Sequence, residues 1–233
     1  MSTLGKISGL PEQGYFVQPV AQLPFSDVQH RLGTDRPAGL ELECPLCEAP
    51  METLLRLNTQ DTRLQLEGLP LHELPLMVCT QHVISEVQYS FTSAGEPVVA
   101  ELEHTVAAAA EGEGIIEIPD THPVLLHAVP DRIAETRQLV NEGRLEEAAD
   151  WAGKFDWEQP QNQIGGTPLL MNRHVGAPAC CLCGQTMPFL ASVVVGVRVM
   201  GEPDPLQLQL LYFLCRRCAN VALVADIPVE DYS

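Results

Sequence analysis

Cys44, Cys47, Cys79 and His82 recur as Cys180, Cys183, Cys215 and Cys218, every position displaced by the same 136 residues. Thirty-one residues separate Cys47 from Cys79, and thirty-one separate Cys183 from Cys215. The chemistry such a frame can do is metal binding: two ligands three positions apart on one tight turn grip an ion from one side, and a second pair closes the other. Thiolate and imidazole donors in fours suit tetrahedral zinc. The sequence therefore predicts two structural Zn2+, one on Cys44, Cys47, Cys79 and His82 and one on Cys180, Cys183, Cys215 and Cys218. Four protein ligands leave no coordination position for water or substrate, which argues against a zinc enzyme. Disulfides are the competing reading. Against them stand the paired spacing, the exchange of His for Cys at one equivalent position, and opening residues Met1–Leu10 with no basic region followed by an apolar run.

The repeat extends past the ligands. At the same displacement Leu46 falls on Leu182, Met51 on Met187, Leu54 on Leu190, Leu74 on Leu210 and Val78 on Leu214, while Arg31-Leu32-Gly33 matches Gln163-Ile164-Gly165 at 132 residues. A period this long reads as two copies of one domain rather than a solenoid. It also sorts the adjacent thiols Cys180 and Cys181. Cys180 matches Cys44 and Cys181 matches Pro45, so Cys181 stands outside the ligand set and reads as a small buried or half-buried thiol.

The elements that must position these ligands are short strands and turns. Nineteen prolines and 17 glycines in 233 residues, with 5% aromatics, favour turns, and 45% hydrophobic content supplies a core. Apolar runs place strand-like segments near Tyr15–Val28, through Leu54, Leu57, Leu64, Leu66 and Leu69, at Leu74–Cys79, Val83–Phe91, Val98–Val106 and Ile115–Ile118. In the second copy they fall at Phe189–Val199, Leu206–Leu214 and Val221–Ile227. Ser93-Ala94-Gly95 and Gly201–Pro205 read as turns, Gly165-Gly166 as a turn with positive φ, and Ala107–Gly114 as a helical turn or loop. Between the copies the pattern becomes helical, with Asp131 as N-cap, Gly143 as a stop, and a second helix over Arg144–Ala152 ending at Gly153. The expected fold is α+β, mostly antiparallel β, with two duplicated zinc-binding β units joined by a helical hairpin. Its segments are a first unit over 1–120 with its core at 30–106, a connector over 121–153, and a second unit over 154–233.

Charge narrows the function. Thirteen Lys and Arg against 31 Asp and Glu give a formal −18, and seven bound thiolates with two dications would carry it to −21. Phosphate binding rests on Lys and Arg releasing counterions, so the balance speaks against nucleic acid as a partner. It suits solubility or the capture of a basic protein. No run is long and apolar enough for a membrane span, and reduced thiols with no export signal place the chain in the cytoplasm.

Ile164-Gly165-Gly166-Thr167-Pro168, Cys180-x2-Cys183-Gly184, Met187-Pro188-Phe189-Leu190 and Leu211-Tyr212-Phe213-Leu214-Cys215-x2-Cys218 together resemble the YwqG-like bacterial proteins of unknown function, and the order of motifs is similar to the programmed cell death protein 2 family. The resemblance implies protein binding, either as a dedicated chaperone of a basic ribosomal protein or as an immunity-type protein against a toxin. An uncharacterised hydrolase is the alternative from another class. Its general base would come from His30, His72, His104, His122, His127 or His174, with His122-Pro123 and His127 near the centre the best placed. No nucleophile elbow, His-Glu-x2-His or phosphate loop accompanies them, no catalytic residue is assigned, and the sequence favours a binding protein over an enzyme.

Overall fold

The computed structural model describes residues 7, 9–23, 29–33, 41–108, 115–152, 161–172, 175–198 and 204–227, without the side chains of 100–108 and 150–152. Within them run twelve strands: β1 (Tyr15–Pro19), β2 (His30–Leu32), β3 (Glu52–Asn58), β4 (Glu73–Val78), β5 (His82–Phe91), β6 (Pro97–Ala108), β7 (Ile116–Glu117), β8 (His122–Ala128), β9 (Gln163–Ile164), β10 (Phe189–Val197), β11 (Leu206–Cys215) and β12 (Asn220–Asp226). Two helices follow β8, α1 (Asp131–Asn141) and α2 (Leu145–Ala152). All twelve strands share one sheet in the order β4-β3-β2-β8-β1-β9-β10-β11-β12-β5-β6, with β7 beside β10. Every strand pair is antiparallel. No described helix is long and apolar enough to cross a membrane.

Strand order departs from chain order at two seams. β1 pairs with β8, with Gln18 opposite Leu125, and these strands continue into β9 and β2 respectively. At the other seam β12 pairs with β5 in a register that sets Val87 opposite Leu223.

The sheet curls into a half-barrel, and the period of two in β11 shows why it can. Leu208, Leu210, Tyr212 and Leu214 enter the large core, while Leu211, Phe213 and Cys215 enter a second core on the other face with Met187, Phe189 and Cys180. Both faces of the strand are thus covered, which is what a nearly continuous apolar run demands. At the curled end two buried tyrosines tie off β4: Tyr89 on β5 accepts from Met77 N at 2.9 Å and its hydroxyl donates to Pro75 O at 3.3 Å, and Tyr212 on β11 donates to Met77 O at 3.3 Å. Hydroxyls here do for an edge strand what a neighbouring strand would otherwise do.

Several local expectations need correction. The segment through Leu64, Leu66 and Leu69 is no strand; a 3-10 turn occupies Thr62–Leu64, capped by the Asp61 side chain on Arg63 N and ended by Gln65 at φ 55°. Leu64 and Leu66 are buried all the same. The 121–153 segment opens on a strand, β8. Asp131 is the first residue of α1 rather than its cap, because Pro130 ahead of it, held near its fixed φ at −59°, starts the helix. On α2 Ala148 is buried, while Leu145 and Ala149, apolar positions of the same helix, are exposed. The Gly165-Gly166 turn has φ of 62° and 66°, and a Cβ on Gly166 would lie 2.6 Å from the Gly14 Cα, so the pair serves a close backbone approach. Residues 109–114 and 201–203, and Gly153, lie outside the described residues.

Candidate metal centres

Both four-residue frames close in space. The ligand atoms of Cys44, Cys47, Cys79 and His82 lie within 4.8 Å of one another, and so do those of Cys180, Cys183, Cys215 and Cys218. Each set is built from a knuckle loop and the end of a strand: Cys79 follows β4 and His82 opens β5, while Cys215 ends β11 and Cys218 sits in the turn before β12.

The two knuckles carry the same hydrogen bonds at the same 136-residue offset. Cys44 N donates to Ala49 O and Cys180 N to Gln185 O, both at 2.8 Å; Glu48 N donates to Cys44 O at 2.9 Å and Gly184 N to Cys180 O at 2.7 Å; Met51 N donates to Leu42 O at 2.7 Å and Met187 N to Pro178 O at 2.9 Å. Glu48 and Gly184, the residues that turn the chain away from the ligands, both take positive φ, 59° and 70°. The conformation strains Glu48 and suits Gly184.

The spacings test the metal. Zn–S bonds of about 2.3 Å in a tetrahedron require sulfurs about 3.8 Å apart, and an S···N edge of about 3.5 Å. Cys47 and Cys79 sulfurs are 3.8 Å apart, those of Cys183 and Cys215 3.7 Å, and Cys79 Sγ lies 3.5 Å from His82 Nδ1. A disulfide would need about 2.0 Å. The two clusters are geometrically plausible zinc sites, with His82 offering Nδ1.

Thiol acidity points the same way. Burial, and then the neighbouring Cys44 and Cys47 sulfurs, push Cys79 up to about 12. Cys218 is likewise pushed up to about 12 by burial and by Cys183, Cys215 and Cys180. Burial also works against ionisation of Cys180, yet the amide hydrogens of Leu182 and Cys183, together with the Cys215 and Cys183 thiols, outweigh it and draw the thiol down to about 7. Crowded sulfurs that cannot all ionise together become able to do so when a cation shares the site.

Cys181 lies outside the second cluster and is exposed, where a buried or half-buried thiol was expected. Cys181→Ser should therefore leave the metal content unchanged, by elemental analysis against wild type. The leucines matched across the copies, Leu46 and Leu182, also prove to be 40% and 55% exposed, so they border the knuckles rather than fill a core. Arg216 and Arg217 are exposed, and Arg216 Nη2 reaches Glu67 O at 2.9 Å, tying the last knuckle to the loop after the 3-10 turn.

The histidines do not converge. His30 is buried in β2, where Nδ1 accepts from Asn58 N at 3.1 Å and Nε2 faces Asp61 Oδ2 at 2.8 Å; Arg63 completes the group with bonds to both Asp61 oxygens. His72, His122 and His127 are exposed, and the last two, an odd number of residues apart on β8, belong to opposite faces of the strand. The His104 side chain and His174 lie outside the described residues. Burial raises the Asp61 carboxyl, but the bonds from Arg63 and His30 prevail and hold it below the usual carboxylate range. A carboxyl held low in the folded state stabilises it at neutral pH and ceases to do so as pH falls through the folded value. Wild type is therefore expected to exceed Asp61→Asn by about 2–3 kcal/mol above roughly pH 5, with the gap closing on further acidification, measured by urea unfolding at matched metal content.

Two polar residues that bear on the second cluster escaped the sequence pattern. Gln88 on β5 donates from Nε2 to Ala179 O at 2.8 Å and to Glu86 Oε1 at 2.8 Å, and its Oε1 accepts from Cys181 N at 3.0 Å and Asn220 Nδ2 at 2.7 Å. Asn220 Nδ2 also lies 3.5 Å from the Cys180 sulfur. The one sequence signal is the broken match between the repeats: at the 136-residue offset Gln88 falls on Val224 and Asn220 on Ile84. No family model, curated protein or solved structure matches this chain.

Proposed function

We propose that this chain is a structural-zinc scaffold that works by binding another protein, with a basic protein as its partner. The observation that carries the reading is the pair of clusters furnished with four side chains each, which leave an ion no open position for substrate or activated water. In each, two knuckles and the bound ion hold the ends of strands that turn-rich sequence alone would hold loosely.

Duplication supports this account of the scaffold. The knuckle hydrogen bonds repeat at one offset, and at the β5–β12 seam Val87 pairs with Leu223, its own equivalent at that offset, as antiparallel copies related by a local two-fold would. At the other seam β8, from the connector, pairs with β2, and β1 pairs with β9 of the second unit.

The partner's chemistry follows from charge. The formal −18 favours a Lys- and Arg-rich protein and disfavours nucleic acid. Around the first knuckle Glu41, Glu43 and Glu48 are exposed, where the second knuckle has Ala177, Ala179 and Gly184. A chaperone or immunity-type role in the cytoplasm is consistent with this surface. The test is affinity purification from the native host with mass spectrometry. A basic protein should be recovered in stoichiometric amount, more weakly with Glu41, Glu43 and Glu48 changed to Gln. Repeated recovery of the chain alone, or salt-sensitive binding to DNA, would overturn the reading.

A further inference from the structure

Gln88 and Asn220 sit where they can govern one metal cluster and not the other. Gln88 is 3% exposed and belongs to β5, a strand whose own first residue, His82, is a ligand of the first cluster. Its side chain crosses the β5–β12 seam and grips the second knuckle at the two peptide groups that flank Cys180: the Ala179 carbonyl on one side and the Cys181 N–H on the other. All four of its hydrogen-bonding positions are filled, two donors by Ala179 O and Glu86 and two acceptor lone pairs by Cys181 N and Asn220. Reversing the amide would set its NH2 against the Cys181 and Asn220 donors, so the network assigns the orientation. Asn220, with 0% exposure, spends one Nδ2 hydrogen on Gln88 and has the Cys180 sulfur at 3.5 Å for the other, nearer than the Cys181 sulfur at 3.8 Å.

We infer that Gln88 is a positioning residue for the second metal cluster, supplied by the first half of the chain, and that it acts by fixing both the Cys180 backbone and the Asn220 donor to the Cys180 thiolate. The inference rests on the reading of these clusters as zinc sites. A hydrogen bond to a ligand sulfur settles the ligand's orientation and disperses thiolate charge, and partners of this kind are worth about 10–100-fold in metal affinity. The arrangement is one-sided. The residues at the equivalent places in the other copy are Val224 and Ile84, whose side chains can donate nothing, so those positions give the first cluster no such tie. By linkage, metal at the second cluster strengthens the β5–β12 seam by as much as the seam strengthens metal binding.

The test uses the full chain loaded with Co2+, in which a three-sulfur, one-nitrogen site and a four-sulfur site have distinguishable visible spectra. Gln88→Met keeps the volume and removes the polar contacts. Under chelator titration it is expected to lose the four-sulfur spectrum at about 10–100-fold lower chelator than wild type, with the three-sulfur, one-nitrogen spectrum unmoved. Asn220→Ala removes the donor to sulfur while leaving the bonds of Gln88 to the backbone on either side of Cys180 in place, and should weaken the same site alone. Equal weakening of both sites in these variants would mark general destabilisation and overturn the inference, as would no change at either. Wild type that takes up no metal overturns the zinc reading and this one with it; wild type that takes up two, matched by Gln88→Met and Asn220→Ala, overturns this one alone.

Discussion

Metal analysis of the purified protein is expected to find two zinc ions per chain, and one in each of Cys44→Ser and Cys180→Ser. The expectation rests on sulfur separations of 3.8 and 3.7 Å in clusters of four, the edge length of a zinc tetrahedron. The consequence for stability is large. Ordering turn-rich loops without an ion leaves buried thiols crowded together in the core, and structural zinc in small domains is worth about 10–16 kcal/mol at neutral pH. That range equals or exceeds the total stability of an ordinary domain, about 5–15 kcal/mol. Stripping both ions with a strong chelator at pH 7 should therefore unfold the chain cooperatively, and readdition of zinc should restore it, followed by circular dichroism. A fully folded, chelator-indifferent protein would overturn the structural role.

The second large effect is packing. Phe213 on β11 and Phe189 on β10 meet edge to face with centroids 6.0 Å apart, both at 0% exposure, in the core that contains Cys180, Met187 and Cys215. Phe213→Ala removes the ring from a site walled by rigid strands and by the ligand turn, so the cavity has little means to collapse. A loss of about 3–5 kcal/mol is expected in urea unfolding at saturating zinc. Phe213→Leu, which refills most of the volume, should recover a large part of it. A loss under about 1 kcal/mol for the alanine variant would mean the second core is loosely packed.

Ligand identity was legible in the sequence because metal geometry is local. Two cysteines three apart impose one turn wherever they occur, and the common offset of 136 residues then separated Cys180 from Cys181 without any structure. The long strands were legible for a similar reason, since an apolar run such as Leu206–Leu214 has few places to go besides a sheet covered on both faces. Leu64 and Leu66 misled because burial alone does not distinguish a strand from a tight turn; the Asp61 side chain, bonding to Arg63 N, decided for the turn. β8 was missed because strand and helix signals meet around Pro123 and Pro130.

By itself, then, the sequence determined the two Cys and His sets that could hold a metal, the largely β character of the chain and its acidic balance, all properties of composition or of short spacings. Only the tertiary structure decided the strand order with its crossed seams, the burial of His30 against Asp61, and the reach of Gln88 from one half of the chain to the cysteine cluster of the other. Those features join residues far apart in the chain: Gln88 and Asn220 are 132 positions apart, and Tyr15 and Ile164, paired between β1 and β9, are farther still. No periodicity encodes such a pairing; it arises when the curled sheet brings β5 beside β12, and buried polar side chains must then find partners among whatever the fold has placed there.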